Sequence, residues 1–363
     1  MSFTYQDFLV NLPNAPREPY RSTTEEDKLN FKWGQRKLLV HELFFLTMSI
    51  KSMQQHLINS PPQQITCIYV GAAPGTHIAY LLELFQAIPI LRFKLYDFRE
   101  FDPKLKAMAQ DPRFQGRLQL TSGVYFTDDM AAQLRKEQSP GEVFLYICDI
   151  RSTKYVSSAP DKQAENDRLL RNDMAMQQNW HLILQPYMSS LKFRLPFSYQ
   201  PGETFPYVNG TLYHQCYTGT TSAETRLVTN TNKMVNYDIQ QYEEVMFYHN
   251  RNIRDQSLRY YADQDYNEVF DGSYDSSMEI YVWTYFMQSL LGETNITPLL
   301  VLSKGLRFDQ LIGRTFQQQR IKMIEVLADI KEKSLKLQEI AREQAEERDI
   351  DDAVLDNLNL AGL

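Results

Sequence analysis

Short apolar runs, each closed by an acid or a glycine, alternate with helical stretches through the first half of the chain. Ile65–Val70 is apolar and rich in β-branched residues, and Gly71 follows it. Phe93–Tyr96 is a second run and ends at Asp97. Leu118–Thr121 is a third, and Val143–Ser152 holds a fourth that stays apolar to Cys148 and closes on Asp149. Between them lie segments of three-to-four periodicity. One runs from Trp33 to about His56, one carries Ile78, Leu81 and Leu82, and one spans Asp128–Glu137. The longest, Ala164–Tyr187, offers Leu169, Leu170, Met174, Met176, Trp180 and Leu184 to a core. Strands apolar on both faces, separated by helices, predict an α/β fold with a parallel sheet covered by helices.

The second half is less regular. Ser190–Phe197 alternates Lys192 and Arg194 with Leu191, Phe193 and Leu195, which predicts a strand with one basic face. Phe205–Tyr217 alternates aromatic and polar residues and reads as one strand. Glu224–Val228 starts another, and Asn236 to about Arg251 reads as a helix. Asn252–Ser277 is polar and dense in Asp and Tyr, so an irregular loop is expected. Met278–Leu291 and Leu299–Leu311 are helical or mixed. Gln317–Glu347 is a charged helix with Ile321, Ile324, Leu327, Ile330, Leu335, Leu337 and Ile340 at loose helical spacing, suited to packing on the body or to a coiled coil. At the other end, Pro13, Pro16 and Pro19 predict an extended arm, with Tyr20 and Phe31 as its anchors. The expected organisation is an arm over 1–30, a catalytic-sized body over 31–316, and a charged helix with an acidic tail over 317–363.

Composition narrows this picture. A chain of 363 residues that is 43% hydrophobic can bury a large core. Cys67, Cys148 and Cys216 lack paired spacing, which predicts free thiols in a reducing compartment and no zinc site. Met1–Tyr20 has no apolar h-region and no run is long enough to span a bilayer, so neither a secretory signal nor a membrane segment is expected, and the sequons at Asn209 and Asn295 are chance matches. The net charge of -7 is unevenly spread. From Gln318 onward the chain carries 7 basic and 11 acidic residues, while the preceding 317 carry 31 and 34. A nearly neutral body is compatible with a local basic groove for nucleic acid.

The turn after the first strand carries the first chemical signal. Gly71-Ala72-Ala73-Pro74-Gly75 is neither the dinucleotide glycine fingerprint nor a phosphate loop with its lysine. Pro74 also removes an amide donor that a phosphate cradle would use. Thr76 is the expected helix cap. A ligand with an amino-acid end and a ribose fits better than a polyphosphate, and S-adenosylmethionine is such a ligand. Asp97, at the tip of the second strand, is expected to accept the ribose hydroxyls.

Lys37, Asp149, Lys192 and Glu224 all begin or end elements at this edge. Two amines and two carboxylates suit proton removal from a ribose hydroxyl, with one lysine kept neutral by burial and by the second ammonium. The same four residues also suit an ordinary buried ion-pair network.

The segments GQRKLLVHELFFL, IYVGAAPGTHIAYL, Asp97 to Pro103, ICDIRS, SSLKFRLPF, SAETRL and VNYD, in this order, give the chain a resemblance to the poxvirus cap-specific mRNA 2′-O-methyltransferases that double as the small, regulatory subunit of a viral poly(A) polymerase. The resemblance covers about residues 20–315. It implies a Rossmann-like S-adenosylmethionine-dependent methyltransferase sheet flanked by helices, with added C-terminal helices, and a divergent relative from a large DNA virus. It implies a K-D-K-E catalytic tetrad at Lys37, Asp149, Lys192 and Glu224, and cofactor contacts at Gln35, Tyr69, Gly71, Ala73, Gly75, His77, Asp97, Arg99, Asp149 and Ile150. A 7-methylguanine pocket is implied at Phe197 and Asp238, with Tyr20 as second ring and Tyr199 where the family has a second acid. RNA contacts are expected from Arg151, Arg194 and Arg226. The implied partners are capped mRNA and a poly(A) polymerase catalytic subunit, and the charged C-terminal helix, where the chain departs from the family's basic tail, is a candidate partner contact; no metal and no membrane are expected. The implied location is the host cytoplasm or viral factory, or the virion. The alternative is a non-catalytic RNA-binding, processivity subunit of the polymerase.

Overall fold

A computed structural model of the chain describes residues 3–21, 34–152, 160–219, 222–254 and 274–291, with Glu332, Lys336 and Glu339 from the C-terminal part. Helix α1 (Tyr5–Phe8) lies in the arm and α2 (Gly34–His56) opens the body. Then come β1 (Gln64–Val70), α3 (Thr76–Leu84), β2 (Leu91–Tyr96), α4 (Pro103–Gln110), β3 (Leu118–Thr121), α5 (Asp128–Glu137), β4 (Glu142–Cys148), α6 (Pro160–Leu184) and β5 (Met188–Phe193). The chain continues through β6 (Thr204–Val208), β7 (Thr211–Tyr213), β8 (Thr225–Thr229), β9 (Met234–Asp238), α7 (Ile239–Tyr248) and α8 (Tyr274–Leu291), with a π-helical turn at His249–Arg254.

Seven strands form one sheet in the order β3-β2-β1-β4-β5-β8-β7. The pairs from β3 to β5 are parallel, and β8 and β7 are antiparallel additions. Strand order reverses between β1 and β4, which opens a crevice at the carboxyl ends of the strands, the usual ligand position in such sheets. Register fixes what meets there. Val70 lies opposite both Tyr96 and Cys148, so Gly71, Asp97 and Asp149 leave the sheet at one level.

One face of the sheet is covered by α2, α3 and α8, through Leu39, Leu43, Phe44, Leu81 and Met278, and the other by α5, α6 and α7, through Leu134, Met174, Trp180 and Tyr242. The arm is not wholly extended: α1 inserts Phe8 against Phe44 and Tyr213. Its real anchors are Phe3, Phe8 and Val10, all buried. Val10 N donates to Leu212 O at 2.9 Å and His214 N to Phe8 O at 3.0 Å, so the arm lines the β7 edge. Phe31 lies outside the described residues.

Several expectations change. Phe205–Tyr217 is two strands in two sheets, because β6 pairs with β9 while β7 joins the large sheet. Asn209-Gly210 makes the crossing, and a Cβ on Gly210 would stand 2.6 Å from Val228 O. Residues 236–238 belong to β9, not to the helix after it. Strand β5 has its basic face buried along its whole length, with its lysine paired. Thr76 is the first residue of α3 and not its cap; Gly75 caps it, in the left-handed conformation. Asp102 does cap a helix, α4, through its side chain. The Leu299–Leu311 segment, most of the Asp/Tyr-rich stretch, and the body of the C-terminal helix lie outside the described residues. Among the described residues no helix is long and apolar enough to cross a membrane, no metal-binding group of His, Cys, Asp and Glu occurs, and the three cysteines are free and buried.

Candidate active site

The four edge residues meet. Lys37, in the first turn of α2, donates to Glu224 Oε1 at 2.6 Å. Lys192, in β5, lies with Nζ 3.2 Å from Asp149 Oδ1 and 3.5 Å from Glu224 Oε2. Glu224 precedes β8, whose antiparallel pairing sets Arg226 opposite Lys192. Sequence reasoning placed Arg226 among RNA contacts, and the structure corrects this. Its side chain is buried, Nη2 is paired with Asp149, Nη1 donates to Cys148 O and Nε to Gln215. A strand position whose neighbours are apolar gave no signal for a buried ion pair.

Charge in this cluster is strongly coupled. Burial disfavours ionisation of Asp149, but Arg226 and Lys192 outweigh it and hold the carboxyl well below the usual range. Glu224 is likewise held low by Lys192 and Lys37 against its burial. Lys192 moves the other way from an ordinary amine: burial lowers its pKa, and Lys37 and Arg151 lower it further against the pull of Asp149 and Glu224. His41, at hydrogen-bond distance (3.0 Å) from Ser190, is buried beside the cluster and kept neutral by burial and by Arg226.

The turn over β1 is built for close approach. Gly71 has φ +79°, and a Cβ there would lie 2.9 Å from Asp149 C and Ile150 N. Gly75 has φ +70°, and a Cβ would lie 2.8 Å from Leu105. Asp97 sits at the strand tip as expected, but its carboxylate is already used: Oδ2 accepts Ala73 N at 2.9 Å, and both oxygens accept Arg99. A ligand hydroxyl reaching Asp97 must displace the half-exposed Arg99 side chain. Tyr69 and His77 point into α2. Tyr69 Oη donates to Glu42 Oε1 at 2.6 Å, while His77 lies 2.9 Å from Glu42 Oε2 and 2.9 Å from Gln35 Oε1. Glu42, which sequence reasoning missed, thus ties α2, β1 and α3 together beneath the turn. Buried in an apolar helix, it carried a signal only as a charge on the wrong face.

Beyond β5 a cleft of about 840 Å³ is bordered by Tyr20, Phe197, Tyr199, Glu203, Glu243 and Glu244 among others. Phe197 N and Ser198 N donate to Asp167 of α6, which fixes the loop. Arg194 lies over the Phe197 ring, 4.3 Å from its centroid. Tyr20 and Phe197, chosen from sequence, thus line one cleft, with Tyr20 edge-on to Phe247. Asp238 is not among the lining residues. Its carboxylate caps α7 by accepting Gln241 N at 2.8 Å. The acids that do face the cleft are Glu243 and Glu244, one turn on. Glu243 and Phe247 share a face of α7 at four-residue spacing, a signal that was available. Among the described residues, the buried Nη1 and Nη2 of Arg151, after β4, and Nε of Arg194 have no hydrogen-bond partner, while Arg194 Nη2 lies 3.8 Å from Asp167 Oδ1.

A mostly parallel sheet with its crevice at the β1–β4 switch point is the Rossmann-like architecture of methyltransferases. The chain belongs to the poly(A) polymerase regulatory subunit family, whose model matches residues 8–289. It is 31% identical over 244 residues to the cap-specific mRNA (nucleoside-2′-O-)-methyltransferase of myxoma virus (strain Lausanne), covering 64% of this chain and 66% of the relative. The fowlpox virus (strain NVSL) protein of the same name is 30% identical over 269 residues, covering 71% of this chain and 79% of the relative. The chain therefore spans slightly under two thirds of the myxoma protein.

Proposed function

We propose that the chain transfers a methyl group from S-adenosylmethionine to the 2′-hydroxyl of the first transcribed nucleotide of capped mRNA. The observation that carries this reading is the convergence of Lys37, Asp149, Lys192 and Glu224 beside the β1 turn. S-adenosylmethionine supplies an electrophilic methyl on a sulfonium. The Gly71 turn packs against the Asp149 and Ile150 backbone and so brings the tips of β1 and β4 together; in this reading the cofactor lies over them, held by Gln35, Ala73, Gly75, Asp97, Arg99, Asp149 and Ile150. Tyr69 and His77 act through Glu42, since both side chains are buried against it.

In this reading Lys192 Nζ takes the proton of the ribose hydroxyl. Its lowered pKa makes the neutral amine accessible, which general-base catalysis requires. Asp149 and Glu224 hold Lys192 from two sides, Lys37 neutralises Glu224, and Arg226 fixes Asp149. Most of the rate advantage lies in this fixed geometry. The cleft beyond β5 takes the cap: Phe197 and Tyr20 flank the charged 7-methylguanine, which aromatic rings attract. Glu243 replaces Asp238 as the acid facing the base. Arg151 and Arg194, which follow Asp149 and Lys192 closely in the chain, are in this reading the contacts for RNA phosphates.

The family description supports a second role as regulatory subunit of a poly(A) polymerase, for which the same RNA groove would serve. Lys192→Ala tests the enzymatic role. It abolishes transfer while leaving S-adenosylhomocysteine affinity nearly unchanged; wild-type rates in that variant would remove Lys192 from the chemistry.

A further inference from the structure

Glu224 is held by two donors on one oxygen. Lys37 reaches Oε1 at 2.6 Å and Gln215 Nε2 reaches the same oxygen at 3.3 Å, which leaves Oε2 toward Lys192 at 3.5 Å. The other end of the same amide accepts: Arg226 Nε donates to Gln215 Oε1 at 2.9 Å. Neither end can be turned round. A guanidinium only donates and an ionised carboxylate only accepts, so the amide oxygen must face Arg226 and its nitrogen must face Glu224. Arg226 is in turn paired with Asp149 Oδ1, which lies 3.2 Å from Lys192 Nζ. The contacts close a ring of five side chains, Lys192, Asp149, Arg226, Gln215 and Glu224, in which Gln215 alone has no ionisable group.

Gln215 is buried, and its backbone is fixed from both sides. His214 N donates to Phe8 O at 3.0 Å. Tyr217 has φ +53°, a left-handed conformation that is costly for a residue with a Cβ. Its hydroxyl donates to Glu279 Oε2 at 2.6 Å, and the Arg36 guanidinium carbon lies 4.2 Å from its ring centroid. Arg36 Nε donates to the same Glu279 oxygen at 2.9 Å. Helix α8 therefore holds both the loop that carries Gln215 and the turn of α2 that carries Lys37, the two donors to Glu224 Oε1.

We propose that Gln215 is a positioning residue for methyl transfer: its amide couples Arg226 to Glu224 and so holds Asp149 and Glu224 in place on two sides of Lys192 Nζ. The proposal rests on the enzymatic reading above. An amide suits the position because it donates on one side, accepts on the other and adds no charge. Burial lowers the Lys192 pKa; of the charged groups around it, Asp149 and Glu224 raise it while Lys37 and Arg151 lower it. Arg226 stands opposite in β8, and His41 beside the cluster is neutral. The N–H of Gln215 offsets part of the Glu224 charge. Without it, Glu224 favours the Lys192 ammonium more strongly.

The test is single-turnover methyl transfer from S-adenosylmethionine to a capped RNA across a pH series, for wild type, Gln215→Met and Gln215→Glu. Binding of S-adenosylhomocysteine serves as a control for folding. Gln215→Met keeps the length of the side chain and loses both hydrogen bonds. Its plateau rate should fall about tenfold, as loss of hydrogen bonds to charged groups predicts, and its acid limb should move to higher pH. Gln215→Glu keeps an acceptor for Arg226 and sets a carboxylate oxygen against Glu224, so its limb should move up further. A merely structural role lowers the melting temperature and leaves the limb in place. A limb at the wild-type position, or at lower pH, in either variant that binds S-adenosylhomocysteine overturns the proposal, and so does a wild-type plateau rate in Gln215→Met. Loss of S-adenosylhomocysteine binding in both variants also overturns it, since Gln215 would then serve the fold. No transfer by the wild-type chain overturns the enzymatic reading itself, an outcome seen before any variant is made.

Discussion

Replacing Lys37 with Gln should move the acid limb of the pH–rate profile to higher pH. Lys37 lies 2.6 Å from one oxygen of Glu224 and Lys192 lies 3.5 Å from the other. Two ammonium groups bridged by one carboxylate are about 6 Å apart, and at an effective dielectric near 20 they repel by roughly 3 kcal/mol, or about two pKa units as an upper bound. Both side chains keep a little solvent contact, 15% for Lys37 and 11% for Lys192, so about one unit is the working expectation. The sign follows from what Lys37 does now: it pushes the Lys192 pKa down from the ordinary 10.5. Without it the ammonium of Lys192 persists to higher pH, and the neutral base appears later. Asp149→Asn should act in the opposite direction. It removes an attraction to the Lys192 ammonium and leaves Arg226 facing Lys192 unopposed, so the limb moves down. The assay is single-turnover methyl transfer to a capped RNA across a pH series, each variant normalised to its own plateau. Limbs that stay put in both variants, or that move together, would refute Lys192 as the titrating base.

Three further outcomes separate structure from recognition. Gly71→Ala puts a Cβ against the Asp149 backbone at positive φ, so it should cost about 2 kcal/mol or more and lower S-adenosylhomocysteine affinity, read by thermal unfolding with and without ligand. Arg226→Gln leaves Asp149 short of its partner in a buried site and should cost about 3–5 kcal/mol of stability. Arg151→Ala should leave the melting temperature near wild type while lowering the salt dependence of RNA binding by about one phosphate contact.

The parallel strands were the most legible part of the chain. Strands β1 and β4 are buried on both faces, so each reads as an apolar run, and β3 and α5 fall on their expected residues. Lys37, Asp149, Lys192 and Glu224 could be gathered because each sits at an element end on one edge, a matter of topology more than of contact. What the sequence hid was pairing. Alternation alone cannot distinguish water from a carboxylate across the sheet, so the strand pattern left Lys192 open equally to a buried and to a solvated position. Arg226 looked available for RNA for the same reason. Asp238 drew attention through its motif, but helix α7 had a stronger use for it as a cap, and the cleft took Glu243 from the next turn. The small β6–β9 sheet was missed because five-residue strands with aromatic alternation carry little periodicity of their own.

The central claim is tested most directly by methyl incorporation from labelled S-adenosylmethionine into three versions of one short RNA: capped, uncapped, and capped with its first nucleotide already 2′-O-methylated. The account predicts label in the capped, unmethylated RNA alone. Label in the uncapped RNA at equal rate would contradict cap recognition, and no label in any of them, with S-adenosylhomocysteine still bound, would contradict the enzymatic reading.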